Sequence, residues 1–183
     1  MAEHDGRDGP WFDETYRRCY PAVVRYGYRR LYDLEAAHEL AQEVFVVTWR
    51  RRRDVPPNVL PWLYAVARRL LANEWRARRA APDIVATQPD ELWVAEPSDL
   101  VAAVIDMNAA LATLSEADRE VLRLIGWEEL TVSEAATVLG CSRLAASTRL
   151  WRARKRLAAA LGSGSAADRR TAHARKTEVE FHA

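Results

Sequence analysis

The side chains of this sequence that could act on a partner are mostly arginines, and their grouping limits what they can do. Arg143, Arg149, Arg152, Arg154, Lys155 and Arg156 fall within residues 143–161, a stretch with no acid. A second group spans residues 49–79, with nine bases against two acids, and includes Arg50–Arg53, Arg68, Arg69, Arg76, Arg78 and Arg79. A guanidinium keeps its charge at physiological pH and offers donors in a planar fork, so it grips phosphate and base edges and does not shuttle protons. Groups that could do covalent chemistry are not assembled. His4, His38, His173 and His182 are scattered, and no carboxylate pair has a partner base. Cys19 and Cys141 offer no metal-ligand spacing, so neither a disulfide framework nor a metal or other cofactor is expected. The residues point to nucleic-acid binding and away from an enzyme.

The elements that must carry these cations read as helices. Thr131–Leu157 splits at helical period into two short helices. Val132, Ala135, Ala136 and Leu139 form the stripe of the first, and Gly140 ends it where a left-handed backbone is tolerated without a Cβ. Ser142 can cap the second, whose stripe runs Leu144 or Ala145, Ala146, Leu150, Ala153 and Leu157. Two helices joined by a short glycine-bearing turn make a helix-turn-helix, and a cationic second helix has the shape that enters a major groove.

Upstream, Trp11–Tyr32 is expected as a helix or a pair broken at Pro21, with Phe12, Tyr16, Tyr20, Val23, Val24 and Leu31 as core. Asp33 caps an amphipathic helix to Arg50, buried through Ala37, Leu40, Ala41, Val44 and Val47, with Glu35, Glu39, Gln42 and Glu43 outside. Pro56 and Pro57 stop helix after the arginine run. Pro61 opens the next helix, with Trp62, Leu63, Val66, Leu70 and Leu71 at core spacing. Its remaining positions interleave Tyr64 with Arg68, Arg69, Asn73 and Arg76, a pattern suited to unpaired bases and their backbone. Trp75 reads as core. Ser115-Glu-Ala-Asp118 starts a further helix whose apolar face is Val121, Leu122, Leu124 and Ile125.

Residues 80–107 carry six acids, three prolines and no base, which reads as a linker, although Ile84, Val85, Leu92, Trp93 and Val94 want apolar contact. From Gly162 the periodicity is lost and a mobile tail is expected. The fold class is therefore all-α: two small helical domains, 11–79 and 108–161, joined by an extended acidic linker, with a disordered 1–10 and a tail at 162–183. The polar, acidic start MAEHDGRDGP is not a signal peptide. No apolar run approaches the roughly 18 residues of a membrane span. A cytoplasmic protein is expected.

In the order and spacing of its motifs, Trp11–Leu161 resembles the extracytoplasmic-function group of the sigma-70 initiation factors of bacterial RNA polymerase. AHELAQEVF at 37–45 is similar to the family's polymerase-binding helix, PWLYAVARRLLANEWRARR at 61–79 to the segment that opens and reads the −10 promoter element, and Leu114–Leu157 to the domain that reads the −35 element. The resemblance implies that Glu39, Gln42 and Glu43 dock on core polymerase. It places Trp62, Arg68, Asn73 and Arg76 at the −10 strand, with Arg69 standing where the family usually has Asn near the captured base. It places Arg143, Ser147 and Arg149 in the −35 groove, and Arg152 and Arg154 on phosphates. Ser147 stands where a Lys is common, and the Arg53–Leu60 loop lacks the usual Phe-Arg-Gly run. The acidic linker would thread the RNA channel as an electrostatic mimic of RNA. Promoter DNA and an anti-sigma factor are the further partners implied, and no membrane insertion. The competing reading is a stand-alone helix-turn-helix regulator, which predicts a dimer on palindromic duplex without polymerase.

Overall fold

The computed structural model describes the backbone of residues 7–80 and 107–180 and the side chains of residues 7–76 and 107–162. The expected acidic linker, the disordered N-terminus through residue 6 and residues 181–183 lie outside the described residues. Within them every regular element is helical. The helices are α1 Gly9–Leu31, α2 Leu34–Arg50, α3 Val59–Ala80, α4 at 107–112, α5 Glu116–Gly126, α6 Val132–Leu139 and α7 Arg143–Glu180, with a 3-10 turn at Arg52–Asp54.

Two compact units are present. One is built on α1–α3 together with 133–142, and the other on 107–132 and the chain from 143 onward. In the first, α1, α2 and α3 pack on one another. Asp8 caps α1 by accepting from the Trp11 amide at 3.3 Å, and Asp33 caps α2 by accepting from the Ala36 amide at 3.1 Å. Val23, Tyr26, Ala37, Val44, Leu63 and Leu71 fill the centre. Gly27 lets α1 approach α2, since a Cβ there would lie 3.1 Å from Leu40 Cδ2 and 3.3 Å from the Ala37 backbone.

Several expectations for this unit are corrected. The helix over 11–32 does not break at Pro21: α1 runs through it, with Pro21 on the exposed face, where the carbonyl that loses a donor is open to water. Tyr16 is exposed, and Phe12, Tyr20 and Leu31 are half-buried, while Thr15, Cys19 and Tyr26 take the core positions. Val47 is half-buried, and Phe45 and Thr48 are buried in its place, the Thr48 hydroxyl donating to the Val44 carbonyl at 2.7 Å. Helix α3 starts at Val59, two residues ahead of Pro61, which lies in its first turn. Tyr64 is buried and stacked on Tyr26, with centroids 4.7 Å apart, so it belongs to the core and not to a base-stacking surface.

In the second unit α5 packs on α7. Ser115 caps α5 by accepting from the Asp118 amide at 3.2 Å. Along α7 the buried seam is Ala146, Leu150 and Ala153, with Leu157 half-buried. Leu144, a candidate for that seam, is 77% exposed, and Ala145 is exposed as well. The tail expected to lose structure at Gly162 instead continues as helical backbone to Glu180. No proline interrupts that stretch, and Ala, Arg, Lys and Glu recur after the Gly-Ser-Gly-Ser at 162–165, where the helix was expected to end.

The turn between α6 and α7 follows the sequence closely. Gly140 has φ +66°, the Cys141 amide donates to the Ala136 carbonyl at 3.1 Å, and the Gly140 amide donates to the Thr137 carbonyl at 3.2 Å. These paired bonds close the end of α6 in a Schellman motif, which needs a left-handed residue at the Gly140 position. α7 then starts at Arg143, with Ser142 at its cap position.

Candidate nucleic-acid interface

On α3 the helical repeat of 3.6 residues puts Trp62, Arg69, Asn73 and Arg76 on one face. Arg69, Asn73 and Arg76 are exposed and Trp62 is half-buried. Arg76 is held in place there: one guanidinium nitrogen donates to Asn73 Oδ1 at 2.7 Å, and its Nε donates to the Ala72 carbonyl at 3.0 Å. This couples a neutral amide to a fixed cation, an arrangement able to hold a base edge beside a phosphate. Arg68 is not brought to that stripe. It lies about a third of a turn away and is half-buried. Trp75 is half-buried too.

The arginine run after α2 is partly engaged in local structure. Arg51 pairs with Asp54 at 3.2 Å, both exposed. Arg52 donates to the Trp49 carbonyl at 3.0 Å with its guanidinium 4.5 Å from the centre of the Trp49 ring. Arg7 donates to the carbonyls of Arg52 and Arg53 at 3.0 and 3.2 Å. Arg50 and Arg53 remain exposed at the end of α2.

Glu39, Gln42 and Glu43 lie together on the exposed side of α2, as their spacing implies. Beside them the sequence reading missed an open apolar groove of about 630 Å³ between α1 and α2, lined by Phe12, Tyr16, Gln42, Phe45, Val46 and Trp49. Val46 and Trp49 are exposed large apolar side chains. The missed signal is their position one and two turns beyond Gln42, on a face that the acids Glu39 and Glu43 mark as polar. His38 is explained structurally: its Nδ1 lies 2.9 Å from the Tyr20 hydroxyl.

On α7, Arg143, Ser147 and Arg154 are exposed on one flank of the helix. Arg149 lies on the other flank, half-buried beside the seam, and Arg152 is exposed. Arg156 donates to the buried carboxylate of Asp118 on α5, so one cation of this helix is turned to intramolecular work. Among the described residues no His, Cys, Asp and Glu cluster could hold a metal ion, and no helix is long and apolar enough to cross a membrane.

The family model for sigma-70 region 2 matches residues 15–81 and that for sigma-70 region 4 matches 106–157. The chain is 27% identical over 154 residues to RNA polymerase sigma factor YlaC of Bacillus subtilis, covering 79% of this chain and 88% of that protein. It is 28% identical over 141 residues to sigma factor CnrH of Cupriavidus metallidurans, covering 69% and 74%. Among solved structures, its fold matches the sigma factor RpoE bound to the anti-sigma factor NepR of Bartonella quintana, with TM-score 0.61 and 24% identity over 82% of this chain and 96% of that one. It also matches CnrH bound to the cytosolic domain of CnrY, with TM-score 0.59 and 23% identity over 85% and 90%. Its relatives include the ECF sigma factors SigK of Mycolicibacterium vanbaalenii (25% identical, 76% of this chain and 74% of that protein) and EcfG of Rhodopseudomonas palustris (26%, 73% and 76%). The chain, with a region 2 match over its α1–α3 helices, a region 4 match over its helix-turn-helix and these relatives, belongs to the extracytoplasmic-function subfamily of the sigma-70 RNA polymerase sigma factors.

Proposed function

We propose that this sigma factor binds core RNA polymerase through the Glu39–Gln42–Glu43 face, reads the −35 element as duplex with α7, and opens and holds the −10 element with α3. The observation that carries this reading is the exposed stripe of Arg69, Asn73 and Arg76 beside Trp62, a strand-binding surface that a stand-alone duplex regulator does not need. Residues 11–79 and 108–161 serve as the two promoter-binding domains and 80–107 as the acidic tether between them.

The mechanism is binding alone. Opening a promoter unstacks base pairs at about 1.4 kcal/mol per step. Stacking a displaced base on an aromatic ring returns about 1–3 kcal/mol per base. In this reading Trp62 offers the ring, Asn73 the base-edge contacts, and Arg69 and Arg76 the phosphate contacts. Tethering two weak sites raises the effective concentration of the second and makes their spacing part of the specificity. Arg143, Ser147 and Arg149 serve the −35 groove, with Arg152 and Arg154 on phosphates; Arg68, away from the α3 stripe, contributes through the flank of that helix. The groove lined by Gln42, Val46 and Trp49 extends the polymerase-facing surface. An anti-sigma factor is a further partner, supported by the solved sigma factors of the same fold that are held by one. The setting for this work is the bacterial cytoplasm.

Gel filtration with core polymerase, followed by sequencing of the transcripts that the mixture makes, tests the reading. The expected result is co-elution and transcripts that start a fixed distance downstream of a shared two-part motif. A dimer that binds palindromic duplex tightly and ignores polymerase would replace this reading with that of a stand-alone regulator.

A further inference from the structure

Of the six cations at 143–161, only Lys155 lies on the part of α7 that reaches furthest outward. The seam of Ala146, Leu150 and Ala153 is buried, and the face directly opposite it, by the 3.6-residue repeat, is Leu144, Thr148, Trp151 and Lys155. Leu144 is 77% exposed and Trp151 64% exposed, and Thr148 is exposed. The Lys155 ammonium lies 5.6 Å from the centre of the Trp151 ring. Arg143, Ser147 and Arg154 flank this strip on one side and Arg152 on the other.

A helix lying in a groove meets the floor with the face opposite its support and the walls with its flanks. In a DNA major groove the walls are phosphates and the floor is base edges, and the apolar feature of that floor is the thymine 5-methyl group. Flanking guanidiniums match the walls. An apolar strip matches a floor that carries methyls, and it does not match guanine, whose groove edge presents acceptors. Leu144 lies in the first turn of α7, the end from which recognition helices contact bases. Leu144 to Trp151 spans seven residues, about 10 Å of helix, or about three base-pair steps.

We propose that Leu144 and Thr148 read thymine 5-methyl groups on the floor of the −35 major groove, with Trp151 closing the strip on the same face. The inference rests on the promoter-binding reading above and names its base preference: A·T pairs in the part of the element that faces this strip. Charge favours DNA over a protein as the occupant, because residues 143–161 hold six cations and no acid.

The test uses the full chain with core polymerase on a promoter that it selects. Each −35 thymine, on either strand, is replaced by 2′-deoxyuridine, which removes the methyl and leaves the hydrogen-bonding edges intact. At one or two positions binding should weaken roughly three- to fourfold, the worth of one buried methyl. Leu144→Ala or Thr148→Ser should abolish the thymine-over-uridine preference at its own position, while circular dichroism stays unchanged because both side chains are exposed. An element without A·T pairs, uridine tolerated everywhere, or a preference that survives both variants each overturns the proposal. If uridine is tolerated and Leu144→Ala instead releases polymerase, the strip belongs to a protein contact. In all these failures, start-site selection on unmodified DNA still reports separately on the sigma-factor reading.

Discussion

The Arg156 guanidinium donates to the Asp118 carboxylate, tying α7 to the first turn of α5 behind it. Asp118 is buried while the Arg156 side chain is 59% exposed. The pair therefore sits at the edge of the α5–α7 contact, where solvent screens part of its attraction. Six cations in one run look equivalent in the sequence, but this one holds the helix that carries the others.

Asp118→Asn should lower unfolding stability by about 1–3 kcal/mol, the range for a charge-assisted hydrogen bond lost at a partly open site. Chemical denaturation measures it. The same pairing separates Arg156 from its neighbours on DNA. Arg152→Ala should flatten the slope of log affinity against log salt by about 0.9, one phosphate contact. Arg156→Ala should change that slope by less than half as much. Equal slopes for the two variants would place Arg156 on phosphate after all.

Gly140→Ala tests the turn. A Cβ at Gly140 meets no atom within 4 Å, so the cost is confined to the φ of +66°. An L-residue in that region costs about 1–2 kcal/mol. The variant should lose that much stability by denaturation. Gly140→Asn should lose less, because Asn tolerates the left-handed region better than Ala.

Two exposed substitutions should separate polymerase docking from strand opening. Glu43→Lys reverses a charge on the outer side of α2 and should weaken co-elution with core polymerase tenfold or more, about 1.4 kcal/mol. Asn73→Ala removes the carbonyl that receives Arg76 at 2.7 Å. It should slow promoter opening on the order of tenfold, the worth of one hydrogen bond to a charged group. Opening kinetics by a fluorescent base analogue, beside gel filtration, reads both. Each variant should leave the other's property intact.

Burial, and secondarily the neighbouring Tyr16, raises the Tyr20 hydroxyl above its ordinary value of 10.0. The unfolded chain would therefore release this proton at lower pH than the folded one. The resulting stability is fully present below pH 10.0 and is lost as pH climbs through the higher folded value. Denaturation between pH 9 and about 11 should show less alkaline loss in Tyr20→Phe than in the parent chain. The variant also loses the 2.9 Å contact with His38, which lowers its stability at neutral pH.

Much of the local architecture was legible in the residues. Asp33 and Ser115 cap the helices that they precede, and Gly140 is left-handed at the end of α6. Ala37, Leu40, Ala41 and Val44 are buried while Glu39, Gln42 and Glu43 face out. Caps, turns and a long amphipathic period are written in neighbouring residues, because the hydrogen bonds and dihedral limits that cause them act over one or two turns.

What the tertiary structure decided is which of two adjacent faces finds a neighbour. Leu144 and Ala146 lie two residues apart on α7, and periodicity admitted both to the seam. Only the helix packed against α7 settles that the small Ala146 goes in and the larger Leu144 stays out. By the same rule Tyr64 is claimed by Tyr26, and Arg156 by Asp118. Pro21 is accommodated because its side of α1 meets water. Burial and ion pairing depend on residues far away in the chain, so a one-dimensional pattern orders the candidates and the packing chooses among them.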